Sequence, residues 1–354
     1  MNVLLIFSVL VLIAIALWQI TKIFELSQEK KVNTQVANDK DNDLNGKLMF
    51  AFLIFIYVLT LYSFWAYSDV LLPEAASEHG GDYDQLMWIS FALIFFVQTI
   101  TQALLHYFSY KYRGEKGKKA LFYADNDKLE MIWTIIPVIT LAGLILYGLY
   151  TWTDIMTVEE NDEALVVELY AQQFNWKARY AGEDGVLGDA NVRFLQDFDG
   201  KNLVGIDATD PNGFDDVVVQ ELHLPVGREV IFKMRSQHVL LSAYMPHFRA
   251  QMNCVPGMIT EFAFTPKTTT EEMRQNPDMI AKVKKINKIR SQKSQELIAS
   301  GDSALDPYEF DYLLLCNKIC GASHYNMQMK IIVESEKDYE KWMTEQQTFA
   351  EVIQ

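Results

Sequence analysis

Residues 131–153, MIWTIIPVITLAGLILYGLYTWT, contain no charged side chain and divide the chain into two parts of different chemistry. Three further uncharged stretches precede them. Because a helix needs about 20 consecutive apolar residues to cross a bilayer, each stretch is long enough to span a membrane. No Lys or Arg precedes the first stretch and no small-x-small motif follows it, which favours a retained helix over a signal peptide. The sequence predicts a transmembrane region at 1–153, with spans at about 3–20, 48–67, 86–107 and 131–152.

The charges of the connecting loops predict how these spans are oriented. Loops 21–47 and 108–130 contain five and six Lys or Arg residues, whereas loop 68–85 contains none. Lys- and Arg-rich loops remain on the cytoplasmic side of a membrane. We therefore expect the N-terminus and everything after Trp152 on the outer side, which for a bacterial inner membrane is the periplasm.

The composition excludes several classes of protein. Aromatic residues make up 13% of the chain, too many for a disordered protein, and three cysteines are too few for a disulfide-built scaffold. The net charge is −15, and about 12 of these negative charges lie after residue 153. Such a charge argues against nucleic acid as a partner and would steer cationic partners to the exported domain. Acidity that only keeps the domain soluble explains the charge equally well.

Beyond residue 153 the apolar residues follow the pattern of short strands separated by turns. Such runs lie at 164–170, 217–224, 229–234, 259–264, 312–316 and 329–333. Many short strands at this spacing predict an all-β sandwich or barrel, here at 154–335. An acidic excursion at about 183–216 and a helical insertion at about 269–299 interrupt it, and 336–354 is predicted to form a C-terminal helix.

The strongest local signal is CNKICGASHYNM at 316–327, which brings Cys316, Cys320, His324 and Met327 within twelve residues. Copper electron-transfer centres combine thiolate, imidazole and a weak thioether ligand. Two soft thiolates can bridge two copper ions, each then completed by one imidazole and one weak ligand. A disulfide between the two cysteines is the alternative in an oxidising compartment. A structural zinc site is disfavoured because Met is a poor zinc ligand.

This motif, together with LEMIWTIIP at 129–137 and SAYMP at 242–246 followed by VPG at 255–257, resembles subunit II of the haem–copper cytochrome c oxidases. The resemblance covers most of 86–334. It implies a cupredoxin-like sandwich that carries a binuclear CuA copper centre. In that family the centre takes electrons from a c-type cytochrome and passes them to the haem and copper of subunit I, where oxygen is reduced to water.

The resemblance also implies the copper ligands, one of which this chain lacks. The implied ligands are Cys316, Cys320, His324, Met327 and the backbone carbonyl of Lys318. The family's first copper histidine falls on Leu241, which cannot ligate. His238 and His247 are the nearest replacements, but residues 238 and 241 of an extended strand would point to opposite faces. His238 as an ordinary surface or core histidine is an equal alternative.

Lys318 is a second departure from the family, which has Glu at this position and uses its side chain to help hold a magnesium ion. A lysine ammonium has three donors and no acceptor, so Lys318 cannot hold that ion. A magnesium site in this protein would have to be built from other residues.

Further roles follow from the resemblance. Phe174 takes the position of the exposed tryptophan through which the family receives electrons, and Trp176 takes that of a second aromatic residue, with a core position as its alternative. Glu130 matches a carboxylate at the mouth of a proton pathway, although a Glu at a helix N-terminus is also favoured by the helix dipole. Cys254 matches no ligand and is expected to be a buried thiol.

The sequence therefore predicts an electron-transfer subunit of a proton-translocating terminal oxidase, active only within its complex. Its expected partners are subunit I, other oxidase subunits and a c-type cytochrome or cytochrome domain. One alternative is a copper-free quinol oxidase subunit II, which the absence of the first histidine favours. The other is a membrane-anchored copper-binding protein with an assembly or structural role.

Overall fold

The computed structural model describes residues 2–28, 38–68, 71–159 and 161–354. The helices are α1 (Asn2–Gln28), α2 (Asp39–Tyr67), α3 (Gly80–Lys111), α4 (Asp127–Met156), α5 (Thr270–Gln275), α6 (Pro277–Ser300), α7 (Glu336–Thr344) and α8 (Phe349–Ile353). The strands are β1 (Leu165–Gln172), β2 (Asn175–Tyr180), β3 (Val217–Val219), β4 (Leu222–Pro225), β5 (Val230–Ser236), β6 (Leu241–Met245), β7 (Ala250–Cys254), β8 (Thr260–Phe264), β9 (Tyr312–Cys316) and β10 (Gln328–Glu334).

Three helices, α2, α3 and α4, are long and apolar enough to cross a membrane. They correspond to the last three of the four predicted spans. The remaining predicted span, at 3–20, is not confirmed. Within α1, the apolar helix among the residues with described side chains is Ser8–Ile23, which is shorter than a span requires. The membrane part is therefore helical, with three candidate spans.

The chain divides into two compact units. The first consists of Met1–Ser68 and Leu93–Asp127, where the Tyr57 hydroxyl donates to the Thr99 carbonyl at 2.6 Å and Arg113 pairs with Asp43 at 2.9 Å. The second consists of Asp69–Ala92 and Lys128–Gln354 and contains all ten described strands.

The strands form a sandwich of two five-stranded sheets, which confirms the predicted β architecture. One sheet has the order β3-β2-β1-β5-β8 and the other β4-β10-β9-β6-β7. Their inward side chains share one core that includes Trp176, Phe232, Leu241 and Tyr312. The run at 217–224 is two strands rather than one, because β3 pairs in the first sheet and β4 in the second. Strands β2, β6 and β7 were not predicted from the apolar pattern.

The segments outside the sandwich differ in regularity. Residues 183–216 contain only short 3₁₀ turns, and a buried ion cluster attaches them to the first sheet: Arg179 bonds to Glu168, to Asp216 and to the Gly188 carbonyl. The segment predicted as one helical insertion forms α5 and α6, separated at Asn276, whose side chain caps α6. The segment predicted as one C-terminal helix, 336–354, is also two helices, because Thr348 caps a separate α8.

An unpredicted arginine joins the sandwich to the first turns of α3. Arg249, after β6, bonds to Asp84 through Nε at 2.7 Å and to the Pro73 carbonyl through Nη2 at 2.6 Å. Its side chain is almost fully buried. A buried charge is stable only when it is paired and hydrogen-bonded, as it is here. The contact holds the second sheet against the segment that leads into α3.

Candidate metal centre

The sulfur loop, which we define as residues 316–327, joins β9 to β10 at one end of the second sheet. The Sγ atoms of Cys316 and Cys320 lie 3.8 Å apart. The Cys320 Sγ also lies 3.7 Å from His324 Nδ1 and 3.9 Å from Met327 Sδ. Both thiols are free, and their separation is far longer than a disulfide bond of about 2.05 Å. The loop thus gathers three sulfur atoms and one imidazole around one point.

Backbone contacts hold this loop in its conformation. The Cys316 N–H donates to the Met327 carbonyl, so the two ends of the loop are joined, and the Asn317 N–H donates to Ser242 of β6, both at 3.1 Å. Gly321 has φ +144°, which side chains rarely allow. The Lys318 carbonyl lies 3.2 Å from Cys316 Sγ, which keeps a backbone oxygen beside the sulfur atoms.

The protonation of the thiols depends on whether a cation is bound. Burial raises the pKa of Cys320 to about 11, and its hydrogen bond and the charge of Cys316 add to this effect. Without a cation the thiol is therefore protonated at neutral pH. A metal ion binds the thiolate and so releases this proton. Cys316, Cys320 and His324 are the one group of His, Cys or carboxylate ligands among the described residues able to hold a metal, with ligand atoms within 4.8 Å of one another.

Leu241, at the family position of the first copper histidine, is the first residue of β6 and is fully buried in the sandwich core. In the antiparallel pair of β6 and β9, Ala243 stands opposite Cys316. Leu241 and Ala243 point to the same inward face as Cys316, since all three belong to the core. The backbone of residue 241 therefore lies beside the sulfur loop, but its side chain offers no ligand.

His238 does not share a strand with Leu241, contrary to the alternation argument. It lies on a bend between β5 and β6, exposed to solvent. Its Nε2 lies 2.9 Å from Gln173 Oε1, and the Gln173 amide nitrogen donates to the Cys320 carbonyl. Because Gln173 Oε1 only accepts, His238 Nε2 carries the proton and is the donor. His238 thus contacts the sulfur loop through Gln173 and not through a sulfur atom.

His247 belongs to the sandwich interior at the other end of β9. Its ring packs edge-on against Phe310 and Tyr312, each at 5.2 Å between centroids. Tyr312 is four residues before Cys316 in β9, which corresponds to about 13 Å along a strand. Burial lowers the pKa of His247 to about 4, so the ring is neutral. The structure therefore does not bring His247 to the sulfur loop.

The donor set fits a copper site only in part. Thiolate, imidazole and thioether donors suit copper. A copper pair of the predicted kind needs two imidazoles, and His324 is the one described histidine with a ring nitrogen beside the sulfur atoms. The residues present therefore fit one copper ion completely and a second one incompletely.

The remaining predicted residues occupy different environments. Phe174 is 37% exposed, and its ring lies so close to Gly321 that a Cβ there would meet Phe174 Cζ at 2.8 Å. Trp176 is fully buried in the core, which leaves Phe174 as the surface aromatic of the pair. Glu130 is exposed in the first turn of α4. Cys254 is fully buried in β7, and burial raises its pKa to about 12.

Two features of this end of the sandwich were not found by sequence reasoning. Gln173 connects the bend at His238 to the Cys320 carbonyl, and its position beside Phe174 was the only available signal. Ile319 and Tyr325 expose 88% and 87% of their surface on the sulfur loop. Both side chains therefore expose apolar surface on the loop that carries the sulfur atoms.

Comparisons with known proteins identify relatives of this chain. Residues 66–151 match the family described as cytochrome c oxidase subunit II, transmembrane domain. The alternative cytochrome c oxidase subunit 2 of Bradyrhizobium diazoefficiens is 32% identical over 82% of this chain and 87% of that protein. The cytochrome c oxidase subunit 2 of Thermostichus vulcanus is 22% identical over 83% of this chain and 84% of that protein.

A solved structure was also matched. The periplasmic domain of cytochrome oxidase subunit II, CoxB, of Bradyrhizobium japonicum covers 53% of this chain and 95% of its own, with 15% identity and a TM-score of 0.30. The family assignment depends on the 32% identical relative, whose similarity extends over most of both chains. The chain belongs to the cytochrome c oxidase subunit II family.

Proposed function

We propose that this protein is the electron-transfer subunit of a membrane-bound terminal oxidase and that the sulfur loop holds its copper centre. Copper bound there would supply a one-electron couple between a c-type cytochrome and the haem and copper of subunit I. The single observation that carries the proposal is the convergence of Cys316, Cys320, His324 and Met327, with sulfur and nitrogen atoms less than 4 Å from Cys320 Sγ.

The surface around the centre supports docking of a protein donor. Ile319 and Tyr325 expose apolar surface on the sulfur loop, and Phe174 lies against the same loop at Gly321. The acidity of the region after residue 153 would attract a cationic c-type cytochrome. Phe174 is accordingly the proposed site of electron uptake. Trp176, buried beneath it in the sandwich, is the second predicted aromatic.

The membrane helices support docking to subunit I. In this proposal α3 and α4 hold the chain in a bacterial inner membrane, with the sandwich on the periplasmic side, as the loop charges predict. Glu130, exposed at the start of α4, would then lie on the cytoplasmic side, where a carboxylate can collect protons. Lys318 offers no acceptor for magnesium. The haem that receives the electron belongs to the partner subunit.

The two alternatives have less support. A copper-free quinol oxidase subunit would not need the four soft donors, although the leucine at position 241 suits it. A copper chaperone or structural protein would not need the apolar surface at Ile319 and Tyr325 or a carboxylate such as Glu130 in the first turn of α4. The relative of highest identity reported above carries a cytochrome c oxidase name.

The test is electron uptake in membranes that contain the assembled complex. We expect reduced cytochrome c to be oxidised by the wild type and His324→Leu to abolish this oxidation while the complex still assembles. His223→Gln is the matched control, since His223 is bonded to Glu334 far along β10. Unchanged turnover of His324→Leu would contradict the copper site, and oxidation of quinol but not cytochrome c would favour the quinol oxidase.

A further inference from the structure

The metal centre of this chain holds one imidazole where a copper pair needs two, and we propose that it binds a single copper ion. The ligands are the Cys316 and Cys320 thiolates, His324 and Met327. This inference deepens the proposed function and rests on it, because it specifies the form of the cofactor through which the same site would transfer electrons.

The donors in the sulfur loop are sufficient for one ion. Two thiolates, the His324 imidazole and the Met327 thioether make a complete set of four for copper. In a pair, the two ions would share the thiolates, and each would need its own imidazole. A second ion would find only the shared sulfur atoms and the Lys318 carbonyl. It would therefore lack any nitrogen ligand.

No other histidine of the chain is placed to supply that nitrogen. The sequence has six histidines, all within the described residues. Besides His324, each is held elsewhere: His79 packs on Phe262 and Phe264, His106 lies in α3, His223 bonds to Glu334 and stacks on Trp342, His238 bonds to Gln173 and His247 packs on Phe310. Bringing His238 to the sulfur atoms would require breaking its bond to Gln173 and reshaping the bend.

The substitution Leu241→His tests the cause directly. The side chain of residue 241 points to the same inward face as Cys316, on a strand that bonds to the sulfur loop. A histidine there restores the second imidazole without changing the loop. The matched variants are Leu241→Ile, which fills similar volume without any ligand atom, and His238→Ala, which removes the nearest alternative nitrogen.

The measurement is made on the full chain, purified in detergent and loaded with copper salt. Copper per chain is counted by elemental analysis and native mass spectrometry, and the paramagnetic spectrum shows whether the unpaired electron couples to one copper nucleus or to two. We expect one copper and single-nucleus coupling in the wild type, in Leu241→Ile and in His238→Ala. We expect two coppers and an electron shared between two nuclei in Leu241→His.

The outcomes separate this inference from the proposed function. Two coppers with a shared electron in the wild type overturn the single-ion centre and leave the electron-transfer function standing. Loss of copper in His238→Ala, or a single copper in a folded Leu241→His, overturns the ligand assignment. If the wild type and Leu241→His both bind no copper, the proposed function is overturned as well. The wild-type measurement decides the number of ions even if Leu241→His does not fold.

Discussion

Two loops lie side by side at one end of the second sheet, and they differ completely in what they offer to a metal ion. The sulfur loop supplies two thiols, an imidazole, a thioether and a carbonyl oxygen within 4 Å of a sulfur atom. The β5–β6 loop, residues 237–240, leads into Leu241, which is fully buried in apolar contacts, and contributes no ligand. The sulfur loop therefore gathers its donor atoms without any donor from the facing strand, whose side chain at position 241 is used for packing.

Few hydrogen bonds connect the two loops. The connection consists of the Gln173 side chain, which contacts His238 on one loop and the Cys320 carbonyl on the other, and the adjoining strand β6 accepts a bond from Asn317 at Ser242. The sulfur loop is instead held by its own ends, because the Cys316 N–H donates to the Met327 carbonyl. Substitutions in the sulfur loop, at Leu241 and at Gln173 test this difference between the two loops, and their expected effects decrease in that order.

The largest effect is expected from the sulfur loop itself. Cys316→Ser replaces a soft thiolate by a hydroxyl that does not ionise at neutral pH, so we expect the full chain to lose its copper completely. Elemental analysis of the purified protein measures this. Cys254→Ser is the control, because Cys254 is buried in β7 opposite Leu241 and its raised pKa keeps it a thiol. Equal copper in both variants would show that the loop is not the metal centre.

The second effect tests the facing strand. Leu241→Ala removes a fully buried side chain and should lower the free energy of unfolding by about 2–5 kcal/mol. Copper content should stay at the wild-type value, because the leucine contributes packing and no ligand. Denaturant unfolding of the copper-free protein gives the first quantity and elemental analysis the second. A stable variant that loses its copper would reverse the roles assigned to the two loops.

The smallest effect is expected from the Gln173 side chain, which connects the two loops. Gln173→Leu removes the amide that bonds to the Cys320 carbonyl, a contact we expect to contribute about 1 kcal/mol and thus about fivefold in the copper dissociation constant. His238→Ala keeps that bond and should leave the dissociation constant unchanged within error. Competition with a copper chelator measures both variants. A larger loss in His238→Ala than in Gln173→Leu would assign His238 a direct role at the metal.

The membrane helices and most strands could be predicted because their signal is local. Uncharged stretches indicate α2, α3 and α4, and apolar runs indicate β1, β5 and β9. The strands β6 and β7 were missed because the Pro, His and Asn residues around 246–253 interrupt the apolar pattern. The predicted span at 3–20 is not confirmed, since the apolar helix among the residues with described side chains, Ser8–Ile23, is shorter than a span. The single run at 217–224 became two strands because its halves pair with different partners, which depends on distant residues.

The sequence by itself determined the donors of the proposed metal centre, because Cys316, Cys320, His324 and Met327 are close along the chain and a short loop brings such residues together. It also determined that residue 241 offers no ligand, since leucine has none. Only the tertiary structure decided that no other described histidine replaces that ligand. The position of His238 on a bend, its bond to Gln173 and the burial of His247 against Phe310 depend on contacts between residues far apart in the sequence. Local spacing therefore specifies half of this site, and the packing of the two sheets decides the other half.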